Sequence, residues 1–150
     1  MRILVQEVKE ASVTVDDKKI GAIGRGFLLF VGFTEGDNPD VIRKMAEKVL
    51  KLRIFEDENG KTNKSLEDVG GEILSISQFT LYGDVKEGNR PSFVKALSFE
   101  KSEPMYQLFN NFLKESHPNL QTGKFGADMK VALVNDGPFT LWLDSERLFK

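Results

Sequence analysis

Two short segments concentrate the groups that could do chemistry. Ser77-Gln78-Phe79-Thr80 puts two hydroxyls and a carboxamide on four consecutive residues at the end of a strand-like run, EILSISQFTL. Asn135-Asp136-Gly137-Pro138-Phe139-Thr140 joins two further strand-like runs, MKVALVN and TLWL. By side-chain type Thr80 is a candidate nucleophile, but no activating base is visible beside it. Taken alone, the first segment reads as strand-end hydroxyls and the second as a tight turn.

What else is missing narrows the chemistry. The chain has no Cys, so a thiolate nucleophile, a thiolate zinc site and a disulfide framework are all excluded. It has one His, His117 in ESHPN, where a helical pattern ends and an imidazole commonly meets the last carbonyls. A Ser-His-Asp triad would have to use this residue, and a zinc site would have one imidazole, so both are disfavoured and no metal or cofactor is expected. GAIGRG, Gly21 to Gly26, has the spacing GxxGxG and opens a strand, so it reads as a hairpin turn rather than a phosphate cradle. DENG, Asp57 to Gly60, reads as a turn, because the rest of a calcium loop does not follow it.

The elements that must position these segments follow from patterning. Ile3, Val5, Val13 and Val15 alternate with polar residues, as in strands half-buried on a sheet, and FLLFVGF reads as a central strand buried on both faces. Asn38 caps a helix with Pro39 at its first position, and Val41, Met45, Val49 and Leu52 follow helical spacing. Ile54-Phe55 marks a short strand. A second helix is expected from Ser102, with Pro104 in its first turn and Met105, Leu108, Phe109 and Phe112 along one face. Strands outnumber helices without regular alternation, which points to an α+β fold with a largely antiparallel or mixed sheet. At 150 residues, 40% hydrophobic and with 12 Phe, the chain is expected to form a single domain over residues 1–150 with a sizeable core. MRILVQEVKE does not read as a signal peptide, and no apolar run reaches the length of a membrane span, so a cytoplasmic location is expected and no membrane partner.

The two chemical segments, in this order, resemble the signature of the D-aminoacyl-tRNA deacylases, an SQxT-type motif with an NxGPxT-type motif. The similarity continues through VQEVKEASVTVD, LRIFEDENGK, SQFTLYGDVKEGNRPSF and TGKFGADMKVALVNDGP, and so spans the chain. The resemblance implies a compact, strongly curved, barrel-like sheet with helices packed outside, and a homodimer. It implies an esterase that cleaves a D-amino acid from the terminal adenosine of tRNA, in translation quality control. It assigns catalysis to Ser77, Gln78, Phe79 and Thr80, with the Phe79 backbone amide as an oxyanion donor and the terminal ribose 2′-hydroxyl assisting. It assigns substrate contacts to Asn135, Gly137, Pro138, Phe125 and Met129. A trans Gly137-Pro138 bond is the expectation from sequence alone, since about 5–6% of X-Pro bonds are cis; the resemblance implies cis, with the pair inserted into the partner subunit's pocket.

Such a mechanism fits the residue inventory. An aminoacyl ester is already activated, and its hydrolysis needs an aligned water and oxyanion donors rather than a histidine. Two departures from the family pattern stand out: Glu7 where many members have Arg, and Phe139 where Val is usual. The formal net charge of −2 is not the footprint of a protein gripping long nucleic acid, and no DNA partner is expected. Only the acceptor end of tRNA need enter the site, near Lys86, Arg90, Lys95, Lys124 and Lys130. Two other readings compete. One is an editing module for mischarged L- or achiral aminoacyl-tRNA, though the chain carries no synthetase segment. The other is a non-enzymatic nucleic-acid binding module on the same scaffold.

Overall fold

The computed structural model describes residues 1–150. It is organised around one long strand, β1 (Arg2–Val15), which is paired along both edges. Ile3 and Val5 are buried on one face, and Val8, Ala11 and Val13 on the other. The switch occurs where register against the neighbouring strand shifts, between Gln6 and Val8 and again between Val8 and Glu10. A bulge displaces the period-two pattern by one residue, so a single strand serves both faces.

The chain reverses at Asp16-Asp17, whose φ values of 50° and 63° are those of a two-residue hairpin turn. β2 (Lys18–Ile23) then runs back along β1, and β3 (Gly26–Gly32) resumes the same pairing after Gly24-Arg25. This corrects the sequence reading of GAIGRG. Strands on either side of it are both antiparallel to β1, so the chain continues in one direction there and the hairpin lies before it. Gly26 is required at the join, because a Cβ would overlap the backbone of Glu72.

Helix α1 (Pro39–Lys51) starts as its sequence predicts, with the Asn38 side chain accepting from the Val41 amide at 3.0 Å. A separate hairpin, β4 (Arg53–Glu56) and β5 (Thr62–Ser65), turns at the DENG segment. β6 (Glu72–Ser77) lies parallel to β3. The strand expected through QFTL stops at Ser77, and Phe79–Tyr82 form a 3-10 turn instead. Helix α2 (Phe99–Lys114) begins three residues before the expected Ser102. Pro104 therefore sits within the helix rather than in its first turn. Burial of Tyr106, Phe109 and Leu113 offsets the lost backbone bond. Ser102 is buried and its hydroxyl donates to the Phe99 carbonyl at 3.3 Å.

β7 (Gln121–Thr122) pairs with β6, and β8 (Lys130–Asp144) with the free edge of β1, before the short helix α3 (Ser145–Leu148). The sheet order is β2-β1-β3-β6-β7, with β8 branching from β1. The sheet curls until β2 meets β7, where a Cβ on Gly21 would lie 3.1 Å from the Thr122 carbonyl oxygen. Val8, Ala11, Val13, Ile23, Leu28, Leu74 and Ile76 fill the inside of the curl. Phe27, Leu29 and Val31 pack outward against Ile42, Met45 and Val49 of α1 and Phe109 and Leu113 of α2. The fold is thus α+β, a nearly closed mixed sheet with helices outside, as expected.

Candidate active site

The ends of β3 and β6, the 3-10 turn, the start of α2 and the loop before β8 enclose a cleft of 520 Å3. It gathers Ser77, Gln78, Phe79, Phe125 and Met129, five of the residues singled out from sequence. Its only ionisable lining residue is Asp128, and most of the wall is apolar. Thr80 is exposed and lies beside the cleft rather than in its lining; its Oγ1 accepts from Gln78 Nε2.

The backbone around Phe79 is held from three sides. Gln78 makes the last bond of this edge, its amide donating to the Val31 carbonyl at 2.8 Å. Leu81 donates to the Gln78 carbonyl and Gly83 to that of Thr80, so the turn itself leaves the Phe79 and Thr80 amides without an acceptor. Arg2 Nη1 donates to the Leu81 carbonyl at 2.8 Å, and its guanidinium lies over Tyr82, 4.4 Å from the ring centroid. Arg2 Nε also meets Asp144 at 3.2 Å. Burial pushes the pKa of the Tyr82 hydroxyl up, which keeps it protonated.

Behind the cleft, Tyr106 donates to the Ser75 carbonyl at 2.7 Å, and Ser75 Oγ donates to Asn110 Oδ1 at 2.8 Å. This buried network fixes α2 against β6 two residues before Ser77. Tyr106 also supports Phe125, with ring centroids 5.7 Å apart, and Phe99 flanks Phe125 at 4.8 Å. On the opposite wall, the Leu97 amide donates to the Phe33 carbonyl at 3.0 Å. Phe33, Leu97 and Phe99 line the cleft without any motif to announce them, because three separate elements bring them together. Arg2 gives no signal beyond being the first residue of a strand.

Asn135, Gly137 and Pro138 are not in this cleft. NDGPFT is not a reversal between two strands, since both flanking arms run in one direction and pair with β1, Val8 with Asn135 and Gln6 with Thr140. Residues 136–139 bulge out opposite Glu7. Asn135 clamps the base of the excursion: its Oδ1 accepts from the Phe139 amide at 2.9 Å, and its Nδ2 donates to Thr140 Oγ1 at 2.8 Å. Asp136, Gly137 and Pro138 are exposed at the tip, and the Gly137-Pro138 bond is cis. The last cleft residue on β8 is Val131, so Asp136 lies about 16 Å further along the extended strand.

Charge around the site is local. Lys95 pairs with Asp84 at 3.4 Å and Lys130 with Asp128 at 3.0 Å, whereas Lys86, Arg90 and Lys124 make no ion pair. His117 sits after α2, its amide bonded to the Leu113 carbonyl and its Nδ1 3.0 Å from Ser116 Oγ, and does not line the cleft. No three His, Asp or Glu side chains are grouped to hold a metal, and no helix is long and apolar enough to cross a membrane.

Comparison with known proteins agrees with the motifs. The family model described as D-Tyr-tRNA(Tyr) deacylase matches residues 4–144. A D-aminoacyl-tRNA deacylase of Lactobacillus gasseri is 56% identical, over 96% of this chain and 99% of the relative. One of Clostridium acetobutylicum is 55% identical, over 99% and 100%. A solved structure described as a c-Myc DNA unwinding element binding protein superposes with a TM-score of 0.91 at 43% identity, covering 96% of this chain and 98% of that one. Another, a probable eukaryotic D-amino acid tRNA deacylase, has a TM-score of 0.82 at 20% identity over 95% and 97%, and so shares the fold. On the family match over nearly its full length, this chain belongs to the D-Tyr-tRNA(Tyr) deacylase family.

Proposed function

We propose that the protein hydrolyses the ester of D-aminoacyl-tRNA, releasing the free D-amino acid and tRNA. One observation carries this: in a chain of this family, Ser77, Gln78 and Phe79 of the SQFT segment meet Phe125 and Met129 in a single cleft, and the turn that starts there leaves the Phe79 and Thr80 amides free of its own bonds. Those amides are suited to receive the oxyanion as water adds to the ester carbonyl. Water attacks and gives up a proton to solvent, and the carbonyl oxygen takes the negative charge. Collapse of the adduct breaks the bond to the ribose 3′-oxygen, which the 2′-hydroxyl helps to stabilise and which leaves as a hydroxyl by taking up a proton. No side-chain nucleophile is needed, so Ser77, Gln78 and Thr80 shape and hold the backbone.

Chiral selection belongs, in this reading, to the Gly137-Pro138 excursion of a second subunit in a homodimer. Support comes from the separation along β8, which keeps the excursion away from the cleft of its own chain. Its carbonyls face the substrate's α-amino side, where an L side chain collides and a D side chain points to open space. Rejection by collision cannot exclude a smaller group, so glycyl-tRNA is hydrolysed as well.

One assay tests the whole: hydrolysis of D-Tyr-tRNA, L-Tyr-tRNA and Gly-tRNA by the pure protein, with its mass measured by light scattering. Fast D, slow L and measurable Gly hydrolysis by a dimer is the expected result. Fast L hydrolysis would favour an editing module for L-amino acids, and no hydrolysis of any substrate a binding module. A mass near one 16.9 kDa chain with selectivity intact would remove the trans gate.

A further inference from the structure

A strap, residues 83–98, runs from the 3-10 turn to α2 and meets the cleft lining at Phe79 and Leu97. Asp84 and Ser92 exchange both backbone bonds at 2.8 Å and close its base. Asp84 also accepts from the Lys86 amide at 2.9 Å and pairs with Lys95, while Thr34 Oγ1 bonds the Lys95 carbonyl. These bonds account for the strap's backbone but not for its surface. Phe93 is 38% exposed and stands edge-on to Phe79, itself 56% exposed, with ring centroids 5.1 Å apart. Lys86 and Arg90 lie on the same strap, with Glu87 between them, and are exposed and make no ion pair. An aromatic pair left open to solvent beside free cations is a poor core but a suitable platform for unstacked bases and their phosphates.

We propose that this strap holds the single-stranded 3′ end of the tRNA just outside the cleft. A base next to the terminal nucleotide stacks on Phe93, and Lys86 and Arg90 meet backbone phosphates. The idea rests on the deacylase reading and adds to it a division of labour. The cleft, almost free of ionisable groups, takes the aminoacyl-nucleoside, which carries no phosphate of its own, and the strap takes the anionic strand. It also removes the tension between a net charge of −2 and a polyanionic substrate, since two local cations suffice for a short strand.

The test compares two substrates, D-Tyr-tRNA and the minimal ester D-tyrosyl-adenosine, with Lys86→Ala/Arg90→Ala and Phe93→Ala proteins. Expected for the double variant is a higher KM on D-Tyr-tRNA, and a salt dependence of log(kcat/KM) shallower by about 1.4, two phosphate contacts on a single strand. Phe93→Ala is expected to raise the tRNA KM at least roughly fivefold, the low end for one lost base stack. Both variants should hydrolyse D-tyrosyl-adenosine like the parent. Unchanged tRNA kinetics in both would overturn the proposal. So would equal losses on both substrates, which would mean a disturbed cleft, or a fall to monomer mass, which would make the strap an interface between copies. Parent protein inactive on both substrates would instead sink the deacylase reading itself.

Discussion

Arg2 and Leu81 are joined at 2.8 Å, guanidinium to carbonyl, across the start of β1 and the 3-10 turn that carries Phe79. The same guanidinium covers Tyr82 and meets Asp144, so one side chain fixes the turn to the start of β1 and the end of β8. Arg2→Ala is expected to lower kcat on D-Tyr-tRNA roughly ten- to a hundredfold with KM little changed, through misplacement of the Phe79 and Thr80 amides. Stability should fall by about 1.5–3 kcal/mol in urea titration, the range for a charge-assisted bond. Arg2→Lys should restore part of the stability and less of kcat, because an ammonium lacks the planar fork. Unchanged kcat in Arg2→Ala would mean that the turn holds its own geometry.

Thr80 sits beside the cleft with its hydroxyl turned to Gln78, and on the proposed mechanism it supports the turn and does not attack. Its hydroxyl already accepts from the Gln78 carboxamide, and it is not part of the cleft lining. Thr80→Val keeps the shape and removes the hydroxyl. The expected loss in kcat/KM is within about tenfold, whereas removing a true nucleophile costs many orders of magnitude. A drop of about 10⁴ or more in single-turnover hydrolysis would return Thr80 to the nucleophile's role.

The sequence is legible where local rules decide and silent where partners do. Asn38-Pro39 and the helical spacing behind them place α1 correctly, because cap and stripe are both local. The same reasoning misplaces the start of α2, where burial of Tyr106, Phe109 and Leu113 overrides the cost of Pro104. GAIGRG looks like a reversal, but whether flanking strands turn back or run on depends on β1, and the turn falls at the less conspicuous Asp16-Asp17. NDGPFT misleads in the same way, since its arms share β1 as partner. The SQFT half of the site is readable as a motif. Its walls are not, because the bond from Leu97 to Phe33 and the tilted ring contact of Phe99 with Phe125 join residues far apart in the chain.

Glu7 faces the excursion, and burial raises its pKa above the ordinary 4.5, as does the Asp136 carboxylate; Arg25 opposes the shift and Glu56 adds to it. A carboxyl with a raised folded pKa binds its proton more tightly in the native state than in the unfolded one. Stability therefore falls as pH rises from about 4.5 through the folded value and stays lower above it. Glu7→Gln is expected to be more stable than the parent at pH 7, with the gap closing by about pH 4. Urea midpoints at the two pH values check this. An equal gap at both, or none, would show that Glu7 does not strain the base of the loop.

If the excursion gates chirality as proposed, Asn135 offers the most direct test of it without touching the Gly-Pro pair. Its two bonds, from the Phe139 amide and to Thr140 Oγ1, close the excursion at its base while the tip stays exposed. Removing them should leave the cleft intact, since none of its lining residues depends on Asn135. Asn135→Ala is therefore expected to keep D-Tyr-tRNA hydrolysis within a few-fold, while the D/L ratio falls by roughly tenfold, about 1.4 kcal/mol of discrimination. Asn135→Asp retains the acceptor for Phe139 and loses the donor to Thr140, so its ratio should lie between. A collision gate works only if its wall stays put when an L side chain presses on it. A D/L ratio unmoved by loss of the clamp would mean that the position of this loop does not decide chirality.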